Sequence, residues 1–78
     1  MQHPHLIDQF GHRIRQLRTE LGLSQESLAE LTGFHRTYIG MVERGERNIS
    51  LVNIGVFAET FGLSLSELFE FPSDRGGR

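Results

Sequence analysis

Apolar residues recur along this chain at helical spacing and nowhere alternate as a strand would. Phe10, Ile14, Leu17 and Leu21 share one side of a helical wheel, and Gly22 follows where a helix C-cap belongs. Ser24 then supplies the N-cap of a second helix, whose Leu28, Ala29 and Leu31 are expected to face inward until Gly33 breaks it. A third helix runs from about His35 to Arg44 and is stopped by Gly45. Ser50 caps a fourth, with Leu51, Ile54, Phe57, Ala58 and Phe61 as its apolar stripe and Gly62 at its end. Ser64 and Glu67 make a capping-box pair for a fifth, which carries Leu65, Leu68 and Phe69, and Pro72 closes the pattern. The expectation is an all-α domain of short helices over residues 8–72, preceded by a flexible arm at 1–7 and followed by a disordered tail at 73–78.

Seventy-eight residues allow a single domain, near the lower limit for a core without covalent staples. The absence of cysteine removes disulfides and cysteine-ligated zinc from consideration. No apolar run approaches the ~20 residues of a membrane helix. Residues 1–7 lack the basic start and long apolar stretch of a signal peptide, so a cytoplasmic protein is expected. Net charge is −2, yet its distribution matters more than its sum. Arg13, Arg15, Arg18, Arg36, Arg44 and Arg47 lie before Ile49, whereas Leu51 to Asp74 carries only Glu59, Glu67, Glu70 and Asp74. Such a chain can present one cationic face and one acidic end. All eight basic residues are arginine, whose planar fork suits bidentate bonding to phosphate or guanine, although GC-rich codon usage explains the same bias.

The third helix is the informative one. Ile39 and Val42 point inward with Phe34, while Arg36, Gly40 and Arg44, spaced by four, line the other side beside Thr37 and Met41. Gly40 weakens the helix by about 1 kcal/mol relative to alanine. Either its missing side chain allows a close approach to a partner, or it is a tolerated surface glycine. At the preceding bend, Ala29 is small where two helices cross and Gly33 can adopt the positive φ of a tight turn.

The runs IRQLR (Ile14 to Arg18), LGLSQESLAELTG (Leu21 to Gly33), YIGMVERGER (Tyr38 to Arg47) and FGLSLSELF (Phe61 to Phe69) together resemble the Cro and phage-repressor type of helix-turn-helix, the Xre family. Gln25, Ala29, Gly33, Ile39 and Val42 all stand in register with that motif, and the likeness extends without a gap from Phe10 to Phe69. HRTYI (His35 to Ile39) is similar to small restriction–modification controller proteins of the same family. The resemblance implies a compact five-helix, lambda-repressor-like fold, a homodimer on a near-palindromic operator in double-stranded DNA, and the third helix in the major groove.

Position by position, the resemblance puts His35, Arg36, Thr37 and Met41 against base edges, with Arg36 set to grip guanine O6 and N7. Thr37 and Met41 would pack against a thymine methyl. Gln25, Tyr38, Arg44, Arg47 and Asn48 are implied phosphate contacts, and the amide end of the fourth helix at Ser50 to Val52 adds another. Protonation of His35 would strengthen binding as pH falls. Arg18 and Glu43 match a family pair that bridges the first helix to the end of the third, with a role mainly in geometry. Gly40 and Met41 stand where glutamine or serine is common, which leaves more of the readout to Arg36, Thr37 and DNA shape. Thr32 replaces a commoner aliphatic residue, an expected small loss of packing.

Arg13 and Arg15 read as solvated surface charges. His3, His5 and His12 lie in and beside a loose arm, so neither a metal site nor any other cofactor is expected, and no nucleophile elbow or phosphate loop suggests an enzyme. Leu65, Phe69 and Phe71 exceed what a short last helix needs for its own packing and are the expected dimer interface, which would space two third helices about 34 Å apart. The sequence thus reads as a dimeric prokaryotic transcription regulator, nucleoid-associated when bound, most simply a repressor acting on its own promoter. No membrane partner or small-molecule ligand is evident. Two other readings remain: an antitoxin or restriction–modification controller protein, and an adapter that uses the fold to bind protein.

Overall fold

A computed structural model describes residues 4–71. The helices run α1 Pro4–Glu20, α2 Gln25–Thr32, α3 Arg36–Glu43, α4 Leu51–Phe61 and α5 Leu65–Leu68. Their ends are set by local chemistry. The Ser24, Ser50 and Ser64 hydroxyls accept from the backbone N–H of Ser27, Asn53 and Glu67, and the Glu67 carboxylate accepts from Ser64 N–H at 2.8 Å to complete the capping box. Gly33 ends α2 with φ 83°, where a side chain would be strained. His35 is the N-cap residue of α3 and makes no side-chain cap bond, which leaves its imidazole outward and exposed.

One boundary differs from expectation. Residues 4–7, assigned to the arm, form the first turn of α1. A proline suits that position, because its absent N–H would have had no helical partner and its fixed φ is already helical. The remaining arm residues and the expected tail lie outside the described residues, as does His3.

Phe10, Ile14, Leu28, Ala29, Ile39, Val42, Phe57, Ala58 and Leu68 form the core. Phe34 packs between Tyr38 and Phe57, with ring centroids 5.0 and 5.3 Å away, and fixes the bend between α2 and α3. Three leucines expected inside are instead largely exposed: Leu21, Leu31 and Leu51. Leu21 follows the last residue of α1. On α2 the inward stripe is Gln25, Leu28, Ala29 and Thr32, and Leu31 lies about 110° round the wheel from its centre. Leu51 opens α4, and helical side chains lean toward the N-terminus, so it leans off the end of the core.

Two polar residues do more than the sequence suggests. Thr32 Oγ1 donates to the Leu28 carbonyl at 2.9 Å and accepts from Phe34 N–H at 3.2 Å. Its hydroxyl ties α2 to the turn, a bond that an aliphatic residue would lack, which corrects the expected loss. Arg13 is no free surface charge. Its guanidinium donates to the Leu68 carbonyl at 3.0 Å and the Glu67 carbonyl at 2.7 Å, covering the negative end of α5 from α1.

Helix α3 packs against both α1 and α2, and the approach of α1 is close. A methyl built on Gly11 would overlap the Val42 carbonyl oxygen and lie 2.8 Å from that of Glu43. Both are backbone atoms, so α1 and α3 must separate to admit it. Gly11→Ala is expected to destabilise the protein by about 1–3 kcal/mol, despite the better helix propensity of alanine. Urea denaturation measures this, and an unchanged midpoint would show that the helices can part without cost.

Candidate nucleic-acid interface

Three helices meet at the carboxylate of Glu43. Arg18 of α1 grips it with the Nε–Nη2 edge of its fork, Nε to Oε2 at 2.6 Å and Nη2 to Oε1 at 3.0 Å, while Nη1 donates to the Leu23 carbonyl at 2.9 Å. Gln25 of α2 adds a bond from Nε2 to Oε1 at 3.1 Å. The side chains of Arg18 and Glu43 are 12% and 4% exposed, so the pair is shielded from solvent. The hydrogen bond to Glu43 raises the Arg18 guanidinium above its ordinary value, and it stays fully charged. This junction fixes where α3 ends and how it leans against α1 and α2. The structure therefore brings the expected pair together and gives Gln25 a bracing role at the same carboxylate.

From that base the outer side of α3 presents His35, Arg36 and Thr37, all exposed, with Met41 half-buried behind them. Arg36 reaches back to α2, its Nε 3.9 Å from a Glu26 carboxylate oxygen. Gly40 is not a surface glycine in the sense expected, since it is buried. The Arg44 guanidinium covers it, with Nη1 only 3.1 Å from where a Cβ would stand, and the Gln25 amide oxygen lies 3.7 Å from the same point. The missing side chain makes a seat for Arg44.

Arg44 is held on that seat by Glu46, Nε to Oε2 at 3.0 Å and Nη2 to Oε1 at 3.2 Å. Arg47 lies over the Tyr38 ring, 5.3 Å from its centroid, and the Tyr38 hydroxyl accepts from Asn53 Nδ2 at 3.0 Å. The two residues are thereby tied to the start of α4. Asn48 is exposed beside them. At the α4 N-terminus Ser50 occupies the N–H of Asn53, and no acidic residue lies in the first turn.

Glu26, Glu46 and Asn53 were not singled out by sequence. Glu46 carried a weak signal, an acid just beyond the glycine that stops α3. Asn53 carried none, because its partner is set by how α4 packs on α3.

The expected pairing residues lie on α5 and just beyond it. Leu65 is 47% and Phe69 38% exposed, and Phe71 is half-buried. The Phe69 ring stands 5.8 Å from Phe10 and 5.7 Å from Phe71. An apolar groove opens beside it, lined by Leu6, Ile7, Phe10, Ile49, Ile54 and Phe69, with Asn48 its one polar wall. Among the described residues no cluster of histidine, cysteine, aspartate and glutamate is arranged to hold a metal ion, and no helix is long and apolar enough to cross a membrane.

Residues 14–68 match the family model described as Helix-turn-helix. The control protein C.MunI of a Mycoplasma species is 46% identical over 61 residues, covering 77% of this chain and 82% of that one. The crystal structure of the restriction–modification controller protein C.AhdI from Aeromonas hydrophila superposes with a TM-score of 0.76 at 54% identity, over 81% of this chain and 96% of that one. The controller protein C.Esp1396I, solved as a tetramer with its natural 35-base-pair operator, superposes with a TM-score of 0.76 at 31% identity, over 83% of this chain and 86% of that one.

Proposed function

The chain belongs to the helix-turn-helix family, and from that premise we propose that it is a sequence-specific regulator of transcription of the restriction–modification controller type, acting as a homodimer on double-stranded operator DNA in a prokaryotic cytoplasm. The observation that carries this reading is the outer edge of α3. His35, Arg36 and Thr37 are exposed together there, on a helix anchored at its far end by the Glu43 junction. An anchored helix that presents an exposed arginine fork is what reading a base edge requires, because discrimination depends on fixed donor positions. Its likeness to controller proteins, one of them solved on its operator, supports the same reading and favours a controller over an antitoxin or an adapter.

In this mechanism α3 enters the major groove with Arg36 on guanine and with Thr37 and Met41 beside a thymine methyl. Arg44, Arg47, Tyr38 and Asn48 reach the flanking phosphates, and the α4 amides add a further phosphate contact. Gln25 divides its role between Glu43 and the backbone of the DNA. Leu65, Phe69 and Phe71 pair two copies. The chain binds and positions; no chemical step is assigned to it.

Fluorescence anisotropy against the DNA upstream of its own gene and a scrambled duplex, at two salt concentrations, tests the reading. Preference of at least ~10³-fold for the upstream DNA, weakening with salt, is expected. Equal weak binding to both, followed by failure to enrich any duplex from a random pool, would overturn it. Arg36→Ala is expected to reduce discrimination at one base pair of each half-site by about 1–3 kcal/mol, with a smaller change on scrambled DNA.

A further inference from the structure

Two of the three ion pairs among the described residues lie on the proposed reading face, and each occupies an arginine needed there. Glu26 approaches Arg36 at Nε, which leaves the Nη1–Nη2 edge open. That edge carries two parallel donors and can grip guanine O6 and N7. Glu46 takes Nε and Nη2 of Arg44 with both its oxygens, leaving Nη1 above Gly40. Both acids are well exposed, so neither is needed for the core. The hydrogen bond from Arg44 holds the Glu46 carboxyl below the usual carboxylate range, so it remains an anion. An anion on a surface that must meet phosphate is unfavourable by Coulomb's law unless it does something else.

We propose that Glu26 and Glu46 are built-in counter-anions for Arg36 and Arg44, which hold down affinity for DNA of unrelated sequence while leaving guanine recognition by Arg36 intact. This rests on the DNA-reading function above. The two acids act differently. Glu46 competes directly with phosphate for Arg44, so it weakens binding to every duplex and lowers the number of cations released on binding. Glu26 sits behind the reading edge of Arg36. On a cognate guanine Arg36 keeps Glu26 at its back, whereas on unrelated DNA it must leave Glu26 to reach a phosphate. Glu26 is therefore a specificity-determining residue that touches no base.

The test compares the full chain with Glu26→Gln, Glu46→Gln, Arg44→Gln and the Glu46→Gln/Arg44→Gln double variant. Glu59→Gln, which removes an exposed acid from the last turn of α4, is the control for net charge. Each is titrated by anisotropy over a range of sodium chloride with a scrambled duplex and with a duplex enriched from a random pool by the unaltered protein. Each is also eluted from heparin. Glu46→Gln is expected to tighten binding to both duplexes about two- to five-fold, to steepen the salt slope by about one, and to elute later from heparin. Glu26→Gln is expected to tighten the scrambled duplex about three-fold and the enriched duplex hardly at all. The Glu46→Gln gain should vanish when Arg44 is already glutamine. Behaviour of either variant like Glu59→Gln, or a gain that persists without Arg44, would overturn the proposal. If the unaltered protein prefers no duplex yet Glu46→Gln still elutes later from heparin, sequence reading fails while the competition at Arg44 stands.

Discussion

Glu43→Ala is expected to melt on the order of 20 °C below the unaltered protein, a loss of about 3–5 kcal/mol. The substitution leaves Arg18, whose side chain is only 12% exposed in the intact protein, with the Leu23 carbonyl as its remaining partner, and it strands the Gln25 amide. A domain of this size has roughly 5–10 kcal/mol in hand, so the loss is a large share of its total stability. The figure is the cost of breaking the pair, not its net worth, since two buried charges also lose their hydration. Replacing both partners, Arg18→Met with Glu43→Met, should therefore restore most of the melting temperature. That double variant would be folded yet lack the junction that fixes α3, and weaker operator binding at full stability would assign the pair to geometry. Circular dichroism melts of the two variants beside the unaltered protein, with anisotropy on the double variant, decide it. A Glu43→Ala protein melting within a few degrees of the original would show that solvent already screens the pair.

Phe69→Asp is expected to yield a monomer at micromolar concentration, with operator affinity lower by about 10²-fold or more. Pairing makes the second half-site an intramolecular event, and losing it removes the effective concentration that pairing supplies. Phe69 also stacks on Phe10, so the change costs some monomer stability. Leu65→Asp separates the two effects, because Leu65 is more exposed and outside the buried core. Sedimentation equilibrium with anisotropy on the same samples reads both. A dimer that survives both substitutions would place the interface away from α5 and the groove that Phe69 lines.

The helices and their caps were legible in the sequence because their causes are local. Ser24, Ser50 and the Ser64–Glu67 box act within one turn of where they stand. The Arg18–Glu43 pair was legible only through family resemblance, since nothing within either helix points to a partner 25 residues away. Wheel orientation was legible for α1 and failed for Leu31, because a two-turn helix has too few apolar residues to define the centre of its buried stripe. Gly40 was noticed, but its reason was not, because that depends on where the Arg44 side chain folds back. Arg13 looked like any exposed arginine, and its carbonyl partners belong to a helix 54 residues on. The one warning of the α1–α3 contact was Gly11 itself, a costly residue in mid-helix with no turn to explain it.

Helix α1 touches both the proposed reading helix and the proposed pairing surface. Its Gly11 backbone abuts the end of α3, its Phe10 ring meets Phe69, and its Arg13 holds the carbonyls that finish α5. In the proposed dimer it is thus the axle whose length and tilt set the track width between the two reading heads. A DNA site is a ruled scale, one turn to the next, and a protein of fixed gauge can settle only on sites cut to match. Changes at Gly11 or Arg13, far from any base, would shift which spacing fits while leaving the letters read unchanged.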